Sequence, residues 1–296
     1  MEGMIQLQAI GRIALPACFG LEEPLTVNDI GLLSCMSRLL QVSPPSSSYK
    51  LKPHGRILQM SEFQDQVAIV TGAAGNLGAV LCQALADRGA RVALLDMNQS
   101  ALTEQRKRLP PGTHSEAFPT DLIDPVSVQR TVRAVRERFG RIDLLANIAG
   151  GFRMGPPLQQ TDDDTWNLMM DLNARSLFNM CRAVLPIMHE AGAGRIVNVS
   201  ARAARNGQGN MGPYCASKAA VIALTESLAE ENKHQGINVN CILPGTVDTP
   251  QNREAMPDQD HDTWVPPAAL ADVILFLASD AARCVTGAAI PVYGRS

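Results

Sequence analysis

The chain has 296 residues, a formal net charge of −3, 46% hydrophobic residues and 19% charged residues. This length allows one large domain or two small ones, and the composition is that of a globular protein. The slightly acidic balance argues against nucleic acid as a partner, because nucleic-acid-binding proteins usually carry a basic face.

Membrane insertion and secretion are also disfavoured. No run approaches the roughly 18 apolar residues of a membrane span, and the N-terminus lacks a secretory signal. Seven cysteines are scattered along the chain and never occur in C-x-x-C spacing. Such usage indicates free thiols in a reducing compartment, which predicts a cytoplasmic protein. The five histidines show no metal-ligand spacing, so we expect no metal site.

The first 59 residues differ from the rest. Residues 43–48 read Ser-Pro-Pro-Ser-Ser-Ser, and no apolar period is sustained around them. We expect residues 1–59 to be an N-terminal extension, disordered or lying upstream of a natural start at Met60, and residues 60–296 to be the folded domain. An organellar targeting peptide is the alternative, but four acidic residues precede residue 30, and such peptides are poor in acid.

From residue 66 onward, short apolar runs alternate with longer helical patterns. The predicted strands are 67–70, 91–95, 142–146, 195–199, 237–242 and 288–292, and the predicted helices are 77–88, 100–108, 125–139, 164–190, 213–232 and 267–279. Alternation of this kind favours an α/β protein, a single Rossmann-type, doubly wound parallel sheet with helices on both faces.

A glycine-rich turn follows the first strand and opens the first helix. Residues 71–78 read Thr-Gly-Ala-Ala-Gly-Asn-Leu-Gly. Gly72, Asn76, Leu77 and Gly78 are the candidate cofactor contacts, since such a turn brings backbone N–H groups and a helix N-terminus close to a pyrophosphate.

Asp96 ends the second strand, 18 residues after Gly78. A carboxylate there accepts hydrogen bonds from a ribose 2′-hydroxyl and repels a 2′-phosphate. We therefore predict NAD as the cofactor, with NADP less favoured. Asp121 and Leu122, after the next strand candidate, are expected to contact the adenine.

Tyr214 and Lys218 are four residues apart in a predicted helix, so that phenol and ammonium can share one face. We expect the ammonium to lower the pKa of the phenol and make the pair an acid/base device near neutral pH.

These motifs resemble the short-chain dehydrogenase/reductase family over residues 64–293, with the Tyr-x-x-x-Lys pair at Tyr214 and Lys218. The family's T-G-x-x-x-G-x-G turn matches except at Asn76, where the family has glycine. Its N-N-A-G segment corresponds to residues 147–150, and the resemblance implies cofactor contacts at Asn147, Ala149 and Gly150.

Two further family motifs follow along the chain. The asparagine that holds a proton-relay water in the family corresponds to Asn173. The family's P-G-x-V-x-T turn corresponds to residues 244–249. The resemblance implies that this turn holds the nicotinamide half of the cofactor through Pro244, Gly245, Val247 and Thr249.

One departure concerns the family's catalytic serine, which lies 13 residues before the tyrosine. Position 201 is alanine here, and Ser200 is its neighbour. Adjacent strand residues point to opposite faces, so Ser200 can replace the hydroxyl only if the backbone turns it around. The segment 201–214 is similar to dihydropteridine reductases, which work without that serine.

The resemblance implies an NAD(H)-dependent oxidoreductase that acts on a small-molecule carbonyl or imine, with Tyr214, Lys218 and Asn173 as catalytic residues. A 3-oxoacyl thioester or hydroxysteroid-type reductase of the same family is one alternative, and a non-catalytic NAD-binding protein is another. Because family members form dimers and tetramers, we expect a homodimer or homotetramer through helices 164–190 and 213–232, which are apolar on more than one side.

Overall fold

The computed structural model describes residues 62–295 and two short strands, Lys50–Leu51 and Ile57–Leu58, that pair with each other. The chain divides into two compact units, Met1–Ile57 and Leu58–Ser296. The predicted N-terminal extension thus lies almost wholly outside the described residues, and its character stays a prediction.

A seven-stranded sheet forms the centre of the second unit, and all its neighbouring strands run parallel. The strands are β1 Val67–Thr71, β2 Arg91–Asp96, β3 Ser115–Pro119, β4 Leu144–Asn147, β5 Gly194–Val199, β6 Ile237–Pro244 and β7 Ala289–Val292. Their spatial order is β3-β2-β1-β4-β5-β6-β7. The order reverses between β1 and β4, which is where open parallel sheets form a ligand cleft at their carboxyl ends.

Eight α-helices accompany the sheet in the described region. They are α1 Asn76–Asp87, α2 Gln99–Arg108, α3 Pro125–Phe139, α4 Asp163–Met170, α5 Ser176–Ala191, α6 Gly212–Asn232, α7 Pro250–Ala255 and α8 Pro267–Ala278. Local chemistry sets several starts: the side chains of Asn98, Asp124 and Asp162 accept backbone N–H groups in the first turns of α2, α3 and α4.

Alternate strand residues supply two hydrophobic cores, one on each face of the sheet. In β1, Ala68 and Val70 pack with α1 and α8, whereas Val67 and Ile69 pack with α3, α5 and α6. Side chains of period two require this division, and burial on both faces explains why the central strands are apolar throughout. The predicted doubly wound α/β fold is confirmed.

Three elements differ from the predicted pattern, and one of them, α7, lies in a segment for which no helix was predicted. The edge strand β3 reads Ser-Glu-Ala-Phe-Pro and is partly exposed, so it lacks the apolar run of a central strand. The predicted helix over 164–190 is α4 and α5 separated by a π-helical turn, Asp171–Arg175. There the N–H of Ser176 donates to the carbonyl of Asp171, one residue farther back than in an α-helix. The extra residue changes the direction of the side chains in that turn, which contains Asn173.

Candidate active site

The glycine-rich turn packs backbone directly against backbone at the carboxyl end of β1. Gly72 has φ +63°, and a Cβ atom there would lie 3.0 Å from the Cα atom of Ala149. A Cβ atom at Gly78 would lie 2.1 Å from the Gly72 carbonyl oxygen. Both positions therefore require glycine, since any side chain would push the turn away from α1 or from the end of β4.

Thr71 ties this turn to the segment after β4. Its hydroxyl oxygen accepts the N–H groups of Ile148 and Ala149, each at 3.0 Å. The sequence motif alone predicts no contact for the Thr71 side chain. Because Gly72 and Ala149 are held together in this way, the two loops that flank the cleft keep a fixed separation.

The N-terminus of α1 is free to meet an anion. No side chain caps it, and its first turn carries no acidic residue, so its N–H groups and helix dipole favour negative charge. Asp96 lies beside the turn, where its carboxylate accepts the N–H groups of Ala74 at 3.4 Å and Asn98 at 3.1 Å. A backbone cradle for phosphates next to a half-exposed carboxylate fits a nicotinamide dinucleotide.

The two residues predicted to contact the adenine, Asp121 and Leu122, lie in different environments. Asp121 is exposed and accepts the N–H of Ile123, while Leu122 packs against the core on the α3 side. The side chain of Asn147 is buried, where it donates to Asn198 and contacts Cys181. Asn147 therefore supports the sheet from inside, and its predicted contact with a cofactor stays a prediction.

Two of the predicted catalytic residues meet at Gly150. A Cβ atom at this glycine would lie 2.7 Å from Asn173 Oδ1 and 3.1 Å from Lys218 Nζ. The Asn173 amide holds the adjacent Gly151, accepting its N–H and donating to its carbonyl, both at 3.0 Å. The π-helical turn, the segment after β4 and α6 are thus joined at one point of the cleft.

Ser217 completes this junction and was not singled out by the sequence. Its hydroxyl accepts from Asn173 Nδ2 at 3.0 Å and donates to the Tyr214 carbonyl at 2.9 Å. It is fully buried. A chain of hydrogen bonds therefore connects Asn173 to the backbone of Tyr214, three residues before Ser217 in the first turns of α6.

Burial dominates the electrostatics of the Tyr-x-x-x-Lys pair. It raises the pKa of the Tyr214 phenol to about 12, with a smaller contribution from Cys215, and lowers the pKa of the Lys218 amine to about 8. The amine donates to the carbonyl of Val199 at 2.9 Å. The expectation that Lys218 lowers the pKa of Tyr214 is thus wrong for the chain by itself, because desolvation of the phenolate is the larger effect.

Aromatic side chains lie beside the phenol. Phe152 packs edge-on against Tyr214 with ring centroids 5.0 Å apart, and about half of Phe152 remains exposed. Trp264, in contrast, is buried, and its ring packs against the ring of His261. Phe152 is therefore the aromatic residue that borders the open side of Tyr214.

Ser200 does not supply the hydroxyl missing at position 201. Its side chain is buried and donates to the Lys218 carbonyl at 2.7 Å, which fixes the serine against the backbone of α6. Ala201 follows in extended conformation with a buried side chain. The possibility that Ser200 is turned into the cleft is not realised, so neither position 200 nor position 201 offers a hydroxyl to the Tyr214 phenol.

The turn after β6 lies against the C-terminal segment. A Cβ atom at Gly245 would lie 2.6 Å from the Tyr293 carbonyl oxygen. Pro244, the last residue of β6, is buried, whereas Val247 is partly exposed, and its carbonyl accepts from Asn252. The hydroxyl of Thr249 caps α7. The predicted nicotinamide-side residues thus form one continuous turn from the sheet to α7.

Within the described residues, no group of three or more His, Cys, Asp or Glu side chains is placed to hold a metal ion. None of the helices in that same region combines the length and apolar character that a membrane span requires. The five cysteines described there are free thiols.

Comparison with known proteins finds the same family that the sequence motifs resemble. The profile of the short chain dehydrogenase family matches residues 66–260. The chain is 36% identical over 240 residues to a D-threitol dehydrogenase of Mycolicibacterium smegmatis, covering 77% of this chain and 92% of that protein. It is 31% identical to the 3-oxoacyl-[acyl-carrier-protein] reductase of Escherichia coli, covering 78% of this chain and 97% of the reductase.

A solved structure shares the fold. The crystal structure of an NAD⁺-bound xylitol dehydrogenase superposes with a TM-score of 0.73 at 30% sequence identity, over 79% of this chain and 99% of that one.

Proposed function

This chain belongs to the short-chain dehydrogenase family, and from that premise we propose that it transfers a hydride between NAD(H) and the carbon of a C=O or C=N group. It is an oxidoreductase that uses a nicotinamide cofactor, as the family does. The observation that carries the proposal is the junction at Gly150, where Asn173 Oδ1 and Lys218 Nζ converge and Ser217 connects Asn173 to the backbone carbonyl of Tyr214.

The cofactor, when bound, supplies or accepts the hydride. The chain provides the cradle of Gly72 and Gly78, the N-terminus of α1 for the pyrophosphate, and the turn 244–249 for the nicotinamide half. Asp96 supports NAD over NADP, since its carboxylate lies beside the glycine turn and repels a 2′-phosphate. We propose the predicted cofactor contacts on the basis of this arrangement of the glycine turn, Asp96 and the turn 244–249.

Tyr214 is the proposed proton donor to the substrate heteroatom. A phenol with a pKa of about 12 is fully protonated at neutral pH, which is the form that reduction needs. Lys218, whose pKa is about 8, can give up or take a proton close to physiological pH. It is suited to reload the phenol, and Asn173 holds the adjoining backbone in place.

The test is Tyr214→Phe, which removes the hydroxyl and keeps the ring that contacts Phe152. Positioned proton transfer contributes about 10²–10⁴-fold, so kcat should fall by at least the lower figure while NADH binding, followed by fluorescence, stays intact. Ser227→Ala removes an exposed hydroxyl from the C-terminal half of α6, where it bonds only to Glu231, and should change neither quantity. An unimpaired kcat in Tyr214→Phe would refute the assignment of Tyr214 as the acid.

The substrate class separates the remaining alternatives. The 31% identity to a 3-oxoacyl reductase supports a thioester substrate, whereas the alanine at position 201 supports a substrate that needs no serine hydroxyl, such as a quinonoid pterin. Assaying acetoacetyl thioesters, quinonoid dihydropterin and simple polyols side by side decides between them. Binding of NADH without turnover across the panel would instead indicate a non-catalytic NAD-binding protein.

We further propose that a second copy of the chain covers the outer side of α5 and α6, as in the homodimer or homotetramer expected from the family. A groove of about 540 Å³ lies there, lined by Met170, Ala174, Phe178, Ala220 and Leu224 among others. Phe178 is a large apolar side chain, and 45% of it is exposed. Sedimentation of the wild type and of Phe178→Glu should show an oligomer that the variant weakens; a wild-type monomer would end this proposal.

A further inference from the structure

The residue that departs from the family's glycine turn makes a long-range contact. Asn76 Nδ2 donates to Gln251 Oε1 at 2.8 Å, and the two residues are 175 positions apart in the chain. Asn76 is the first residue of α1 and Gln251 is the second residue of α7. A glycine at position 76, as in the family's motif, has no side chain with which to form this bond.

Helix α7 is stabilised mainly by hydrogen bonds and an ion pair between residues close to one another in sequence. It has six residues, none of them buried. The Thr249 hydroxyl caps its N-terminus, Asn252 donates to the Val247 carbonyl at 2.8 Å, and Arg253 pairs with Asp248. All these bonds lie within residues 247–253. The contact from Gln251 to Asn76 therefore links a lightly packed helix to the opposite wall of the cleft.

This contact joins two segments that are both proposed to hold the dinucleotide. Asp96, on one side, adjoins the glycine turn through Ala74, and the turn 244–249 on the other side leads directly into α7. A dinucleotide held by both segments would extend from Asp96 past the start of α1 towards the turn 244–249. The Asn76–Gln251 hydrogen bond joins the start of α1 to the start of α7.

We propose that Asn76 and Gln251 form a clasp over the nucleotide cleft, which opens for entry and exit of the dinucleotide and closes over it once it is bound. The inference rests on the proposed function in that the ligand is a nicotinamide dinucleotide. Both residues act by positioning α7. They take no part in the transfer of hydride or proton.

The expected effect is moderate, because the bond is between neutral, solvent-exposed groups. Hydrogen bonds of this kind change a rate or equilibrium by about two- to tenfold. Asn76→Gly, which restores the family's turn, and Gln251→Ala should each raise the NADH dissociation rate by a factor in that range. The double variant should dissociate no faster than either single variant, because both substitutions break the same bond.

A measurement without nucleotide tests the clasp independently. Backbone N–H groups of Arg253 and Met256 donate to Thr249 and Asn252 within α7, and their hydrogen exchange reports opening of the helix. Exchange should be faster in Asn76→Gly and in Gln251→Ala than in the wild type. Gln259→Ala is the matched control, since this exposed glutamine of the same loop lies eight residues beyond Gln251 and should leave exchange and dissociation unchanged.

The outcomes separate the clasp from the cofactor assignment. Faster exchange in both single variants, with non-additive dissociation rates by stopped-flow fluorescence, supports the clasp. Unchanged exchange, or dissociation effects that multiply in the double variant, overturns it. If no variant and no wild-type sample binds NADH, the proposed cofactor is wrong, and the exchange experiment in the free protein still decides whether Asn76 and Gln251 hold α7.

Discussion

Replacing Lys218 with methionine should make the cofactor-free protein more stable at pH 7 while abolishing its activity. Lys218 is only 5% exposed, and burial lowers its pKa from the ordinary 10.5 to about 8. At pH 7 the folded protein therefore holds a charged amine at a buried site. Methionine has a similar length and no charge, so it fills the site without this desolvation cost.

The magnitude follows from the shift in pKa. Each unit is worth about 1.36 kcal/mol, so a fall from 10.5 to about 8 corresponds to about 3 kcal/mol of destabilisation by the protonated amine. Methionine also loses the hydrogen bond to the Val199 carbonyl, which costs about 1 kcal/mol. The variant should therefore be more stable than the wild type by about 2 kcal/mol at pH 7.

The pH dependence has a definite sign. Between pH 8 and 10.5 the unfolded chain binds more protons at Lys218 than the folded chain does, so wild-type stability from this group rises with pH. The advantage of Lys218→Met should accordingly shrink across that window and nearly vanish near pH 10, and it should reverse to a deficit of about 1 kcal/mol only well above pH 10.5, where the amine is neutral in both states. The difference between the two proteins isolates Lys218 from other titrating groups.

Urea unfolding of both proteins at pH 7 and near pH 10 measures the effect. Lys233→Met is the control, because this lysine is 41% exposed at the end of α6 and pairs with Glu230, so its removal should show no such pH dependence. A Lys218→Met variant that is less stable at pH 7, with a deficit that does not vary with pH, would refute the conclusion that Lys218 is a destabilising buried cation.

Three further predictions concern the site. Ser217→Ala leaves one N–H of the Asn173 amide without its partner, which should lower the free energy of unfolding by about 1–3 kcal/mol and kcat by about tenfold. The control Ser279→Ala removes a buried hydroxyl far from the cleft and should lower stability alone. Equal kcat values in the two variants would contradict a positioning role for Ser217. Ala201→Ser should raise kcat/KM for simple ketones by about tenfold, within the range of one positioned donor; no gain with any carbonyl substrate would show that position 201 does not face the reacting group. Asp96→Ala should narrow the preference for NADH over NADPH by about tenfold or more, since the carboxylate beside the glycine turn is removed; an unchanged ratio of kcat/KM values would contradict the NAD assignment.

The predictable parts of the fold have local causes. Strands buried on both faces must be apolar along their whole length, and helices between them show a 3.6-residue period, so β1, β2 and α3 appear near their observed positions in the sequence alone. The turn at Gly72 and Gly78 is equally local, since backbone-to-backbone contact tolerates no Cβ atom. The edge strand β3 was not among the predicted strands, because it is partly exposed and its sequence is therefore not continuously apolar.

The remaining features arise between segments far apart in the chain. Whether Ser200 faces the cleft depends on the position of α6, whose Lys218 carbonyl accepts its hydroxyl. Spacing suggested that Tyr214 would be made acidic by its neighbour, yet the surrounding side chains decide the pKa through burial.

The amino-acid sequence by itself determined the alternation of most strands and helices, the glycine turn and the Tyr-x-x-x-Lys pair, because periodicity and backbone sterics act within a few residues. Only the tertiary structure decided that Ser217 links Asn173 to Tyr214 and that Asn76 reaches Gln251. Hydrogen bonds across 44 or 175 residues leave no periodic trace, since they depend on how whole elements pack on the sheet.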